Sequence, residues 1–152
     1  MSMTEVEITR AVATDANAMR ECARSAYQHY VARLGKEPGP MIDDYDYRVS
    51  NNDAYVARCG EIISGLLVMV IDQDRCLLDN VAVHPDYAGN GIGKQLVIFA
   101  ENRARQAGFS KLELYTHALM TENIAMYQKW DYTIARRIRE KSFDRVYMKK
   151  SL

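Results

Sequence analysis

The segment from Leu77 to Thr116 constrains the fold more than any other part of the chain. It opens as an alternating apolar strand over Leu77–Val83, breaks at His84-Pro85, and passes through Gly89-Asn90-Gly91-Ile92-Gly93-Lys94. Ile92, Leu96, Phe99, Ala100 and Ala107 then recur on one helical face until Gly108 stops the helix. Lys111-Leu112-Glu113-Leu114-Tyr115-Thr116 alternates again as a strand. Two strands joined through a helix return to the same end of a sheet and run parallel. One parallel pair is therefore expected near the middle of the chain.

The flanking elements read as antiparallel. Val6–Ala11 alternates as a half-buried strand, Thr14 or Asp15 offers an oxygen to cap the next helix, and helical spacing runs to about Tyr30. From Leu34 to Tyr47 the glycines and prolines interrupt every period, which predicts a loop holding at most one short helix. Ala54–Arg58, Ile62–Ile71 and Cys76–Val83, joined at Cys59-Gly60 and Asp72-Gln73-Asp74, predict an antiparallel meander. Asn123–Trp130 reads as a short amphipathic helix, and Tyr132–Arg139 with Arg145–Lys149 as a closing hairpin. The predicted class is α/β of the α+β kind, a single mixed and mostly antiparallel sheet with one central parallel strand pair and helices on both faces. Residues 1–152 are expected to form a single domain with one active site.

Charge narrows the partners. With 20 basic and 20 acidic residues and a pI near 6.8, no global field draws the chain to nucleic acid or to an anionic membrane. The excess of Arg and Lys over residues 136 to 150 reads as a solvated hairpin. The apolar run Leu66–Ile71 is too short to span a bilayer, and MSMTEVEITR lacks the apolar core of a secretory leader, so a cytoplasmic location is expected. Cys22, Cys59 and Cys76 show no paired spacing, and His29, His84 and His117 are scattered, so reduced thiols and no metal are expected.

The glycine segment has the composition of an anion site. Glycines let the backbone approach a bulky phosphate, and the unpaired amides of a first helical turn point at it with the helix dipole behind them. Spacing excludes two common forms. A dinucleotide fingerprint needs glycine where Lys94 stands, and a Walker loop needs glycine and a hydroxyl where Ala88 and Gln95 stand. Taken alone, the run is either a phosphate loop or a turn that ends a strand.

The run NVAVHPDYAGNGIGKQL resembles the cofactor-binding motif of the GNAT acetyltransferase superfamily, and LYTHALMTENIAMYQKWDY is similar to its second motif. The order of elements matches over roughly the whole chain. The resemblance implies the GNAT fold and acetyl-coenzyme A as cofactor, with a primary amine of a small molecule or peptide as acceptor. It places coenzyme A along Val81, Ala82 and Val83, across Ala88, Gly89, Asn90, Gly91, Ile92, Gly93 and Lys94, and beside Asn123 and Tyr127. Tyr127 then corresponds to the acid that protonates the leaving thiolate, and Asp79 to the base on the strand before the loop. Tyr115 and Thr116, with some of Tyr27, Tyr30, Met41 and Tyr45, are expected at the opening where the substrates meet.

Two positions depart from the family pattern. Ala88 stands where arginine or glutamine is usual, which removes a side-chain contact to pyrophosphate and raises the alternative of a catalytically idle acyl-coenzyme A binding domain. Asp131 stands where glycine is usual, at a turn that calls for a left-handed residue. A homodimer is the default expectation for an enzyme of this size.

Overall fold

The structure, a computed structural model, describes residues 6–152. The reading of the first ten residues as lacking a leader rests partly on Met1–Glu5, outside the described residues. Alternation after Val6 becomes β1 (Glu7–Arg10). The next helical pattern becomes α1 (Ala16–Tyr27), whose buried Met19, Cys22, Ala23 and Tyr27 recur at helical spacing. The expected cap is realised in position but not in bonding. Asp15 precedes α1, yet its carboxylate accepts from the Val12 amide at 2.8 Å and from Arg58 at 2.6 Å. Burial pushes this carboxyl up, and the bonds from Arg58 and Val12 with the Arg58 charge bring it below its ordinary value. A guanidinium within reach outcompetes a helix amide because a doubly charge-assisted bond is the stronger one.

A short helix α2 (Val31–Leu34) ends where the expected loop begins, and the loop stretch itself holds α3 (Gly39–Ile42) and the start of α4 (Tyr45–Ser50). Pro40 sits in the first turn of α3, where a missing amide is tolerated, and Asp44 caps α4 by accepting from the Tyr47 amide at 3.0 Å. Helices of 4 to 6 residues contain too little repeat to show as apolar periodicity.

The remaining elements are β2 (Ala54–Cys59), β3 (Ile62–Ile71), β4 (Cys76–Val83), α5 (Ile92–Gln106), β5 (Lys111–His117), α6 (Thr121–Lys129), β6 (Thr133–Glu140) and β7 (Phe143–Ser151). The strands form a seven-stranded sheet in the order β1-β2-β3-β4-β5-β7-β6. β4 and β5 are parallel, with Leu77 opposite Glu113 and Leu78 opposite Leu114. The pairs β1–β2, β2–β3, β5–β7 and β6–β7 are antiparallel, so the mixed sheet with a central parallel pair is as expected.

The chain divides into two compact units. The first holds residues up to Met69 and Asn80–Ala100. In it α5 packs so closely on β3 that a Cβ on Gly65 would lie 3.0 Å from the Ala82 carbonyl oxygen and 3.1 Å from Leu96 Cδ1. Asn80, 3% exposed, accepts from the Tyr27 hydroxyl at 2.9 Å and donates to the Tyr45 hydroxyl at 3.1 Å. Satisfied in this way, a buried amide adds directional bonds to an otherwise apolar interior.

The second unit holds Val70–Asp79 and Glu101–Leu152. Leu78, Leu112, Leu114, Val146 and Met148 are among its fully buried strand residues. Beside them Glu101, 6% exposed, accepts from the Tyr132 hydroxyl at 2.8 Å and pairs with Lys150 at 3.1 Å. Asp131 takes φ +73°, the left-handed turn expected of it.

Candidate active site

The glycine loop belongs to the first unit. The His84 amide donates to Ser64 O at 2.8 Å, and a single 3-10 turn over Pro85–Tyr87 follows. Gly89 and Gly91 adopt φ +83° and +77°, a region that costs a side-chain-bearing residue about 1–2 kcal/mol. A Cβ built on either meets nothing within 4 Å, so the strain is conformational and the space beside the loop is open. Asn90 turns its side chain inward and donates to Tyr87 O at 3.0 Å, which leaves its main chain to serve a ligand. Ala88 is exposed.

The loop leads directly into α5, where Ile92 is buried and Lys94 is exposed. The first four amides of a helix have no acceptor within it. Lys94 makes no ion pair among the described residues. Open main chain, outward amides, the positive end of a fifteen-residue helix and an unpaired ammonium together suit a polyanionic group such as a diphosphate.

Along β4 burial alternates, with Cys76, Leu78, Asn80 and Ala82 inward and Leu77, Asp79, Val81 and Val83 on a half-exposed face. Asp79, Val81 and Val83 therefore share one side of the strand. Val81 O lies 3.0 Å from the Tyr27 hydroxyl and shares its one proton with Asn80 Oδ1, which leaves a second lone pair on the carbonyl. Asp79 Oδ1 accepts from the Tyr115 hydroxyl at 2.9 Å, both residues lying in the second unit. Burial first, and then the charge of Asp79, push the Tyr115 phenol above its ordinary value.

Tyr115 and Thr116 do not share a face. Thr116 is buried and lies 3.6 Å from Met120 sulfur, as period-two alternation requires of the next strand residue. Tyr27, Tyr30, Met41 and Tyr45 are all buried in the first unit, so none of them lines an opening by its exposure.

Asn123 and Tyr127 stand four residues apart on one face of α6. Tyr127 is 5% exposed, and its ring packs edge-on against Trp130 and Tyr132, each 5.9 Å away. This packing fixes the ring direction. Asn123 is half-buried, with its amide 3.7 Å from Met120 sulfur.

The three cysteines are unbridged. Burial pushes the Cys22 thiol up to about 12 and Cys76 to about 11. Among the described residues no group of three His, Cys, Asp or Glu could hold a metal ion, and no helix is long and apolar enough to cross a membrane.

Sequence reading missed three supports of these groups: the Tyr115 bond to Asp79, the inward Asn80, and the close approach at Gly65. The inward Asn80 alone had a local signal, since it shares the parity of Leu78 and Ala82 on β4.

The chain is 27% identical over 96 residues to the uncharacterized N-acetyltransferase YvbK of Bacillus subtilis (strain 168). That match covers 62% of this chain and 62% of YvbK, less than about two thirds of the relative's length. The fold is shared with PaiA N-acetyltransferase from Thermoplasma acidophilum in complex with coenzyme A, with a TM-score of 0.80 at 20% identity over 97% of this chain and 99% of the other. It is shared also with Salmonella typhimurium yncA with its cofactor acetyl-CoA, with a TM-score of 0.72 at 18% identity over 97% and 94% of the two chains. The model of the acetyltransferase (GNAT) family matches residues 16–132, and the chain belongs to that family.

Proposed function

We propose that this protein is an acetyl-coenzyme A-dependent N-acetyltransferase that acts on a primary amine of a small molecule or peptide, by direct transfer with both substrates bound. The observation that carries the reading is the open loop of Gly89 and Gly91 at the start of α5, with Lys94 unpaired beside it. The coenzyme A and acetyl-CoA bound in the PaiA and yncA structures support the same choice of ligand. A cytoplasmic location and a homodimer complete the reading.

Acetyl-coenzyme A supplies an acyl group on a thiol that leaves more readily than an amine does. In this reading the amides from Gly89 to Lys94 hold the pyrophosphate, and Val81, Ala82 and Val83 bond the pantetheine through their main chain as an added strand. Asn123 and Tyr127 lie beside the pantetheine and sulfur. A lysine-like amine is only about one part in a thousand neutral at pH 7. Asp79 takes the proton that the amine must lose, directly or through water, and Tyr127 returns one to the departing sulfur.

Direct transfer fits the two buried cysteines. Thiols held near 12 and 11 are almost wholly protonated at neutral pH, so Cys22 and Cys76 are poor nucleophiles for an acyl-enzyme.

Thiol release from acetyl-coenzyme A across an amine panel tests the proposal. Release that rises with at least one primary amine is expected. Binding of the cofactor with no amine-dependent release leaves the idle binding domain, the alternative that Ala88 motivates.

A further inference from the structure

We infer that Tyr115 is a positioning residue, whose hydroxyl fixes the Asp79 carboxylate in the orientation from which it takes the amine proton. The inference rests on the reading of Asp79 as the base, and it extends that site to three further strands.

Tyr115 lies on β5 two residues beyond Glu113, which pairs with Leu77, so the parallel register brings it level with Asp79. Its hydroxyl donates to Asp79 Oδ1 at 2.9 Å. The ring is held from another side by Arg145 of β7, whose guanidinium lies 4.3 Å from the ring centroid. Arg145 is in turn held by Glu140 of β6 at 2.9 Å, and Glu140 also accepts from the Tyr147 hydroxyl. Arg136 lies 4.4 Å over the Tyr147 ring, and Arg75 pairs with Glu113 at 3.2 Å. The phenol is thus braced across the sheet.

Arg75 and Lys111 pair with Glu113, Arg145 pairs with Glu140 beside the Arg136 charge, and the two tyrosines hold their protons because burial, first, and neighbouring carboxylates push both phenols up. A hydroxyl bonded to a carboxylate favours the ionised form and restricts its rotation, and both serve a base.

The test is Tyr115→Phe in the full chain, alone and with Asp79→Asn. In the ligand-free protein, carbon NMR of the Asp79 carboxyl is expected to titrate about one pH unit higher in Tyr115→Phe than in wild type. With one acceptor amine throughout, the acid limb of kcat/KM is expected to move up by the same amount, with KM for acetyl-coenzyme A unchanged. On the Asp79→Asn background, Tyr115→Phe is expected to change the rate less than twofold. An unmoved carboxyl titration overturns the inference even if no transfer is detected. Equal rate losses on both backgrounds overturn it too, since they mark a structural effect that does not pass through Asp79. Wild-type rate and limb in Asp79→Asn overturn the base reading, and the inference with it.

Discussion

Replacing Gly65 by alanine tests how tightly the loop-bearing helix is pressed on the sheet. The added Cβ would sit 3.0 Å from the Ala82 carbonyl oxygen, 3.1 Å from Leu96 Cδ1 and 3.3 Å from Ile92 Cγ2. The two side chains can turn aside by a few tenths of an ångström. The carbonyl cannot do so cheaply, because it belongs to β4, and β4 is tied to the residue before Gly65 by the bond from His84 N–H to Ser64 O at 2.8 Å. Overpacking of this kind costs about 1–3 kcal/mol, and the stiffer unfolded chain returns about 0.4–1 kcal/mol. A net loss of about 1–2 kcal/mol lowers Tm by about 2–8 °C at this chain length. Thermal unfolding followed by circular dichroism reads the variant. A Gly65→Ala protein that melts at or above wild type would refute the argument from close approach.

Three other changes have expected outcomes. Tyr127→Phe should lower kcat about a hundredfold with coenzyme A affinity held within about twofold, and unchanged turnover would remove its acid role. Arg58→Met should cost about 2 kcal/mol at pH 7 by stranding Asp15, which is 5% exposed. Because the folded Asp15 carboxyl lies below the ordinary carboxylate value, that stabilisation is present above about pH 4 and is lost as pH falls through the folded value. The gap between Arg58→Met and wild type in urea unfolding should therefore close below pH 4, and a constant gap would contradict the assignment. Lys150→Met should lower stability by about 2–3 kcal/mol, since Glu101 then keeps only the Tyr132 hydroxyl, and unfolding in urea measures it.

Most of the fold was legible because its signals are local. Period two marks β4 and β5 and period 3.6 marks α5, while the glycines between them have few uses besides a turn or a phosphate loop. The parallel pair followed from the crossover through α5. Legibility ended where partners come from distant strands. Nothing near Asp79 in sequence announces Tyr115, thirty-six residues on, because their contact depends on the β4–β5 register. Thr116 is different, since strand alternation alone assigns it the face opposite Tyr115. Asp15 occupied its expected place but bonded to Arg58, forty-three residues away, instead of to the helix. An isolated glycine in an apolar strand reads as a weak point, and only the packing of Leu96 and Ile92 shows why Gly65 is there.

Calorimetry with coenzyme A tests the central claim most directly, with Gly91→Val beside the wild-type chain. The loop account predicts uptake of coenzyme A and acetyl-coenzyme A, and at least tenfold weaker binding in Gly91→Val, whose side chain meets both an unfavourable φ of +77° and the space left for the ligand. No heat of binding from well-folded wild-type protein, or equal affinity in the two proteins, would contradict it.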